Sequence, residues 1–284
     1  MAVISELNIY PVKSLRGISL NHVALGVRGL QYDRNWMLVD EAGKFLSQRQ
    51  VPELALIGVS LNNDSMVFSK DGQAPLKISL VHERRQPVEV KVWDDMCEAT
   101  DEGSEASSWF NKALEGKFTS HVRLVRIEDS FRRVVDRELL QDNEVHTAFA
   151  DRYPYLVVWE EALLILNERL KARGVRPVTM DRFRANIVLK GLPAGASDGD
   201  VLALESTNQS YRLRLIKPCK RCKIVGIDQI TAQPNDPPNE PLVTLVSMNS
   251  DIHDKSAYFG HRAILAKGAS HLARVGDEVN ALLA

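Results

Sequence analysis

The chain has 284 residues, of which 44% are hydrophobic and 26% charged, and is therefore long enough to bury two hydrophobic cores. Its formal net charge of −1 gives no broad positive surface, which argues against a polymeric nucleic acid as a partner. Three cysteines are too few for a disulfide scaffold, and no run approaches the roughly 20 apolar residues of a membrane-spanning helix.

The N-terminal third of the chain has the pattern of a small β-barrel. The first residues lack the basic region and apolar core of a signal peptide, so we expect a cytoplasmic protein with no membrane anchor and no membrane partner. From there to about Trp93, short apolar runs alternate with turn signals at residues 40–43 and 71–72. This pattern predicts short strands.

Two helices are predicted further along. Residues 104–115 form the first, with Ser104 as the expected N-cap, and residues 121–127 return to strand. The second covers residues 160–172, because Leu163, Leu166 and Leu170 follow a helical spacing and Gly174 comes just past its end. We assign these leucines to the core.

Two extended runs are predicted near residue 220. Residues 211–216 alternate apolar with basic side chains, and residues 223–227 are mainly apolar. Residues 235–239 contain two consecutive prolines, which predicts a loop. The segment between the two runs therefore lies at the end of a strand.

That segment, Cys219-Lys-Arg-Cys222, places two thiols among fixed positive charges. The thiolate is the form that binds metals and attacks electrophiles, and neighbouring cations favour it over the thiol. The surrounding cations are Lys217, Lys220, Arg221 and Lys223. The pattern therefore predicts a cysteine ready to bind a soft or high-valent metal.

Three simpler interpretations of the cysteine pair stay open at this point. A structural zinc site needs four ligands, but only Cys97 remains and the later histidines lack the short spacing of a zinc finger. A thioredoxin-like pair would open a helix, whereas extended runs flank this one. The two cysteines could also be neighbours by coincidence.

Several short motifs accompany the cysteine pair along the whole chain. They are Tyr10-Pro-Val-Lys-Ser14, Gly26-Val-Arg-Gly-Leu30, Asp33-Arg-Asn-Trp36, Phe149-Ala-Asp151, Pro154-Tyr-Leu156, Asp181-Arg-Phe-Arg-Ala-Asn-Ile-Val188, Phe259-Gly260 and Val275-Gly-Asp277. In order and spacing this set resembles the molybdenum-cofactor sulfurase C-terminal (MOSC) domain family. More narrowly, it is similar to the amidoxime-reducing branch, in which an N-terminal β-barrel domain precedes the MOSC domain.

The resemblance and the predicted elements together give the expected architecture. We predict a mostly β fold with a few helices, of the α+β class. An N-terminal β-barrel domain covers residues 1–118, and a C-terminal MOSC β-barrel domain covers residues 119–284.

The resemblance also implies a cofactor site. It implies a molybdenum cofactor, molybdenum held by molybdopterin, with Cys222 as the protein ligand to the metal and Cys219 as its neighbour. Asp151 is implied to lie near the reacting metal and to be catalytic with Cys222. The residues implied to contact the pyranopterin are Lys13, Ser14, Arg34, Arg184 and Asn186.

The residue types agree with these implied roles. A terminal phosphate is bound by lysine and arginine, and an asparagine amide can match the donors and acceptors of a pterin edge. Each residue also has a plainer interpretation. Lys13 could be a solvated turn residue, Arg34 and Arg184 surface charges or members of ion pairs, and Asn186 a turn former.

One position departs from the family pattern. Before the second helix the family usually has a small hydroxyl residue that reaches the cofactor, and this chain has Trp159. Either the alignment slips by a residue, or the indole adds bulk at the pocket wall. Trp159 is therefore left out of the predicted site.

The resemblance implies a reductase that removes oxygen from small N-hydroxylated compounds such as amidoximes, hydroxylamines and N-hydroxylated bases. An iron–sulfur cluster needs about four cysteine ligands, so electrons are expected from a separate protein with flavin and an iron–sulfur or haem carrier. Two other functions stay open. One is a molybdenum-cofactor or sulfur carrier without turnover, and the other is a zinc-binding module.

Overall fold

The structure is a computed structural model that describes residues 2–81, 87–135, 145–191, 201–206, 211–249 and 254–283. Twenty strands and three α-helices lie in these ranges, so the predicted mostly β fold with a few helices is confirmed. No helix in these ranges combines the length and apolar character needed to cross a membrane.

The first ten strands are β1 (Ala2–Ile9), β2 (Ile18–Leu20), β3 (His22–Gly26), β4 (Gly29–Leu30), β5 (Trp36–Val39), β6 (Gly58–Leu61), β7 (Ser65–Lys70), β8 (Gln73–Ser79), β9 (Pro87–Val92) and β10 (Asp95–Asp101). The next ten are β11 (Arg123–Ile127), β12 (Arg133–Val134), β13 (His146–Thr147), β14 (Tyr155–Trp159), β15 (Ile187–Lys190), β16 (Val201–Ser206), β17 (Arg212–Lys220), β18 (Tyr258–Lys267), β19 (Leu272–Arg274) and β20 (Glu278–Leu283). The helices are α1 (Ser104–Ala113), α2 (Glu160–Ala172) and α3 (Leu242–Met248).

Seven strands close into a barrel. Their order is β15-β14-β18-β17-β16-β20-β1, and β1 pairs back onto β15 in antiparallel register to complete the ring. β14 and β15 run parallel because helix α2 makes the crossover between them. Large side chains fill the barrel, with Tyr155 and Trp159 among the buried residues of this core. The barrel strand β17 carries Cys219, and the chain leaves it just before Cys222.

The other strands form smaller sheets beside the barrel. One has the order β5-β11-β10-β9 and another the order β6-β7-β8. Helix α1 packs Trp109 and Phe110 against Phe68 of β7, with ring centroids 5.0 to 6.1 Å apart. The predicted boundary near residue 118 stays a prediction, because β1 lies in the barrel and β11 pairs with β5.

Helix α2 begins and ends where the sequence predicts. Leu166 and Leu170 are fully buried, and Gly174 follows the helix with φ of 71°. Helix α1 differs from the prediction at its first turn. Ser104 is already helical and Gly103 is the N-cap, because its φ of 98° turns the chain into the helix and its N–H donates to Asp101 Oδ1 at 2.8 Å. The prediction of Ser104 as N-cap was wrong.

The segment after the cysteine pair also differs from the prediction. Strand β17 is confirmed and continues through Lys220, but the second extended run is a 3-10 turn over Lys223–Gly226. The turn buries Val225 in the core beneath helix α3, and a short apolar run does not distinguish this geometry from a strand. Residues 235–239 lie outside helices and strands, as predicted.

Gly260 lies where β18 approaches β14 so closely that a side chain would not fit. It has φ of 75°, and a Cβ atom there would lie 2.7 Å from Val157 O and 2.6 Å from Val158 Cγ2. Gly260→Ala is therefore expected to lower the free energy of unfolding by about 3 kcal/mol, from backbone strain and overpacking together. Urea denaturation of the two proteins measures the difference.

A matched control separates strain from contact. Gly174 has nearly the same φ of 71°, but a Cβ atom at this position would meet no other atom within 4 Å. Gly174→Ala should cost only about 1 kcal/mol of unfolding free energy, the backbone contribution alone. Equal losses in the two variants would show that the close approach to β14 contributes nothing.

Candidate cofactor site

A cleft beside the end of β17 brings the predicted site residues together. It encloses about 900 Å³ of empty space, open solvent at its mouth included. All the residues predicted from the motifs line this cleft: Lys13, Ser14, Arg34, Asp151, Arg184, Asn186 and Cys222. Their assembly from distant parts of the chain is observed, and their individual roles stay predictions.

The cleft is strongly positive although the chain as a whole is nearly neutral. Its lining includes one carboxylate, that of Asp151, and eight cationic side chains: Lys13, Arg34, Arg49, Arg152, Arg184, Lys220, Arg221 and Arg262. Like charges focused in a concave site raise the local concentration of anions. The arrangement therefore fits an anionic ligand.

The two cysteines of the pair face different surroundings. Cys219 is buried, and Arg221 Nη1 donates to its Sγ at 3.1 Å. Cys222 is exposed to the cleft, with Arg49 Nη1 3.8 Å from its Sγ, and both thiols are free. In the described ranges no cluster of three or more His, Cys, Asp or Glu side chains could hold a metal ion. The pair therefore has no further zinc ligands there, and Cys222 is the thiol open to a ligand in the cleft.

Lys13 forms the closest ion pair of the cleft. Its Nζ donates to Asp151 Oδ1 at 2.5 Å and to the carbonyl of Phe149 at 2.9 Å. Burial lowers the pKa of the Lys13 ammonium, against the opposing attraction of Asp151. Only 7% of the residue is exposed, so the interpretation of Lys13 as a solvated turn residue is wrong.

Asp151 is held as a carboxylate. Desolvation in the cleft raises its pKa, but the Lys13 ammonium and the hydrogen bonds from Lys13 and Trp93 outweigh that effect and hold the pKa below the usual range. The Trp93 indole N–H donates to Oδ1 at 3.1 Å. Asp151 is therefore ionised at neutral pH, which makes it an anchor for Lys13 or a proton acceptor and not a resting acid.

Arg34 and Arg184 lie against the same aromatic ring. Their guanidinium carbons are 4.3 and 4.2 Å from the ring centroid of Tyr10. Arg34 also donates to both carboxylate oxygens of Asp33, at 2.6 and 2.7 Å. For both arginines the interpretation as surface charges is wrong, although Arg34 does belong to an ion pair. The stacking fixes both guanidinium groups at the cleft.

Arg184 retains an unused donor. Its Nη1 donates to the carbonyl of Leu15 at 2.7 Å, while its Nη2 is buried with no hydrogen-bond partner among the described residues. Burial, followed by the charge of Arg34, lowers the pKa of Arg184 to about 10. A buried donor without a partner is costly, and an anion would satisfy it.

Three residues of the predicted site share a backbone feature that the sequence does not reveal. Ser14, Arg34 and Arg184 have φ of 70°, 51° and 54°, in the left-handed region that disfavours residues other than glycine. Such backbone conformations cluster at ligand sites, where the surrounding structure enforces them. The same conformation occurs at five residues that do not line the cleft, so it does not by itself mark the site: Tyr32, Trp93, Ala232, Asn239 and Ser270.

The Asn186 side chain joins strands β14 and β1 by hydrogen bonds. Its Oδ1 accepts from the N–H of Leu156 at 3.1 Å, and its Nδ2 donates to the carbonyl of Asn8 at 3.2 Å. Only 2% of the residue is exposed, so the turn-former interpretation is wrong. Because both amide groups bind the backbone, Asn186 shapes the floor of the cleft and has little capacity left for a pterin edge.

A turn of the N-terminal part that no sequence motif marks also reaches the cleft, through Arg49. Gln48 exchanges two amide hydrogen bonds of 3.0 Å with Gln229, and its Nε2 also donates to the carbonyl of Ser14 at 2.8 Å. This buried pair holds the turn that presents Arg49 to Cys222. No periodicity or motif marks the turn, so only the fold reveals it.

Trp159 lies away from the cleft. It is buried in the barrel, with its ring edge-on to His261 at a centroid distance of 5.3 Å. It does not line the cleft, so the interpretation of an indole at the pocket wall is wrong. Its position in the barrel core explains the bulk.

Comparison with known proteins agrees with this architecture. Residues 1–117 match the MOSC N-terminal beta barrel domain, and residues 144–280 match the MOSC domain. Mitochondrial amidoxime reducing component 2 of Homo sapiens is 30% identical over 98% of this chain and 83% of that protein. Mitochondrial amidoxime-reducing component 1 of Mus musculus is 28% identical over 98% of this chain and 82% of that protein.

A longer relative matches through part of its length. Molybdenum cofactor sulfurase of Bos taurus is 30% identical over 82% of this chain, but the match spans only 27% of that protein. The two domain matches cover most of the chain, and the amidoxime reducing components match it nearly end to end. The chain therefore belongs to the MOSC-domain family, with an N-terminal MOSC β-barrel domain followed by a MOSC domain.

Proposed function

We propose that this protein is a reductase of small N-hydroxylated compounds that works with a bound molybdenum cofactor and receives electrons from a separate redox protein. The observation that carries the proposal is the positive cleft with the exposed Cys222 at its wall. The similarity to amidoxime reducing components gives the reaction class. The cytoplasmic location expected from the sequence stays a prediction.

The residues present fit an anionic metal cofactor. Cys222 supplies a thiol open to the cleft, which as thiolate would serve as the protein ligand to molybdenum. The unused Nη2 of Arg184 fits a phosphate or another anionic group, with Arg34 beside it. When bound, the cofactor supplies the two-electron chemistry that removes the oxygen of an N–OH group.

The Lys13–Asp151 pair is suited to manage protons in this cleft. Reduction of N–OH to N–H and water consumes two protons with the two electrons. Asp151 is already ionised, so the proton of the pair resides on Lys13 Nζ, whose pKa burial lowers. A group with a lowered pKa gives up its proton more readily, so we assign proton delivery to Lys13 Nζ and its orientation to Asp151.

A second candidate uses the same cleft without turnover. The exposed thiol of Cys222 and the similarity to molybdenum cofactor sulfurase favour a carrier of the cofactor or of persulfide sulfur. Such a carrier would need the same cationic lining. It differs from the reductase in having no use for an electron donor.

The source of electrons distinguishes the two candidates. Protein isolated with molybdenum should not reduce benzamidoxime with NADH alone, whereas reduced methyl viologen should support turnover to benzamidine. A separate flavoprotein with an iron–sulfur or haem carrier should replace the viologen. The benzamidine product is measured by chromatography.

The same assay can reject the reductase. If viologen drives no reduction in protein that contains molybdenum, the reductase proposal fails and the carrier proposal survives. Transfer of the cofactor or of persulfide sulfur to an acceptor protein is then the measurement to make.

A further inference from the structure

Arg133 holds the segment that carries Asp151. The arginine is the first residue of β12, and its side chain is 5% exposed. Its Nη1 donates to the carbonyls of Ala148, at 3.1 Å, and of Ala150, and its Nη2 donates to the carbonyl of Asp151 at 3.2 Å. One guanidinium therefore gathers three carbonyls of a four-residue segment.

The other side of the same guanidinium binds Asp95 of β10. Nε and Nη2 of Arg133 lie 2.8 and 2.7 Å from Asp95 Oδ2. The planar fork thus joins β10 to the segment before β14, and a lysine ammonium at this position could not bind the carboxylate and three carbonyls together. Arg133 therefore acts through the geometry of its guanidinium and not only through its charge. We call its set of hydrogen bonds to Asp95 and to residues 148–151 the brace.

The carbonyls of this segment are divided between two cations. Arg133 donates hydrogen bonds to the carbonyls of Ala148, Ala150 and Asp151. Lys13 Nζ donates to the carbonyl of Phe149. With its own carbonyl held in this way, Asp151 directs its carboxylate into the cleft, where it meets Lys13 and Trp93. The position of the carboxylate therefore depends on a residue outside the cleft.

Arg133 lies in the stretch between the two family matches, which end at residue 117 and resume at residue 144. We propose that Arg133 is a positioning residue, which fixes Asp151 and the carbonyl of Phe149 around Lys13. The inference deepens the proposed function and rests on it only for the role of the cleft. The brace itself can be tested without turnover.

The first test measures how well Lys13 is protected. Arg133→Lys keeps the charge but cannot hold the carbonyls, so Lys13 should lose its two acceptors and become more accessible. Acylation of Lys13 by acetic anhydride at neutral pH, followed by peptide mass spectrometry of the full chain, should be about tenfold faster than in the parent protein. An unchanged rate in this variant would overturn the proposal.

Arg126→Lys is the matched control. Arg126 is similarly buried, at 6% exposed, but its Nη2 donates to the carbonyls of Ser79 and Leu80 and not to those of residues 148–151. The acylation rate of Lys13 should stay within about twofold of the parent in this control. A similar increase in both variants would mean general loosening and would overturn the specific role of Arg133.

A second variant guards against failure to fold. The Asp95 side chain is 52% exposed, so Asp95→Asn should fold while weakening the fork. It should accelerate acylation of Lys13 by about threefold. In the viologen assay both variants should lower kcat for benzamidoxime with little change in KM, because the altered group acts on proton delivery.

The outcomes separate the two proposals. If the parent protein shows no viologen-driven turnover but Lys13 loses protection in Arg133→Lys and Asp95→Asn, the brace is supported and the reductase is rejected. If the parent protein turns over but Lys13 stays equally protected in both variants, the brace is rejected and the reductase stands.

Discussion

Cys222→Ser is expected to abolish benzamidoxime reduction, with a loss on the order of a thousandfold or more, and to lower the molybdenum content of the isolated protein. Cys222 is the exposed cysteine at the cleft, and a serine hydroxyl is a poor substitute for a thiolate ligand. Metal analysis and the electron paramagnetic resonance spectrum of the molybdenum report on the ligand independently of turnover.

Cys219→Ser is the matched control for this substitution. Cys219 is buried and its sulfur accepts from Arg221 Nη1 at 3.1 Å, a hydrogen bond that a serine oxygen can also accept. This variant should therefore keep most of the activity and the molybdenum spectrum. Equal losses in the two variants would contradict the assignment of Cys222 and favour a site that uses both thiols.

The parts of the fold that were predicted from the sequence are those with a repeated pattern. Helix α2 was predicted because Leu166 and Leu170 keep a helical spacing and Gly174 marks the end. The turn over Lys223–Gly226 was missed because so short a segment cannot show a period. Closure of the barrel by β1 depends on its pairing with β15, far along the chain, which no local pattern encodes.

The site residues were predicted through motifs, and their surroundings were not. The motifs bring Lys13 and Arg184 to the cleft, but treating them as exposed charges was wrong because Lys13 is buried and Arg184 lies on the ring of Tyr10. Arg49 and Arg133 belong to no motif. Their contribution depends on side-chain contacts across the fold, which sequence spacing alone does not determine.

Arg184→Gln is expected to lower the molybdopterin content of the protein with little change in its stability. Arg184 and Arg34 lie on the same ring of Tyr10, and burial together with the charge of Arg34 lowers the pKa of Arg184. These two like charges repel each other, and only Arg34 is already paired with a carboxylate, that of Asp33, whereas Arg184 has no carboxylate partner among the described residues until an anion joins it. Removing the charge of Arg184 should leave the stability of cofactor-free protein within about 1 kcal/mol of the parent, while the molybdopterin content falls by about tenfold or more.

Lys13 is also a cationic residue of the cleft, but its replacement should lower the stability of the cofactor-free protein as well as the molybdopterin content. Its ammonium donates to the buried carbonyl of Phe149 as well as to the half-exposed carboxylate of Asp151, so Lys13→Ala removes the donor of a buried carbonyl and should destabilise the cofactor-free protein by about 1 to 3 kcal/mol. Its molybdopterin content should fall as well. Thermal melting and chromatographic measurement of the oxidised pterin follow the two effects separately.

Arg182→Gln is the control for Arg184→Gln, and the opposite result is expected. Arg182 lies two residues earlier and is buried, but it does not line the cleft. Arg182 donates to Asp228 Oδ2 at 2.9 Å and to Asn235 Oδ1 at 2.8 Å, so its loss breaks satisfied contacts. This variant should lose stability and keep its molybdopterin. The reverse pattern, with full cofactor content in Arg184→Gln, would remove the argument that the unused donor of Arg184 binds the cofactor, because its charge would then serve the fold alone.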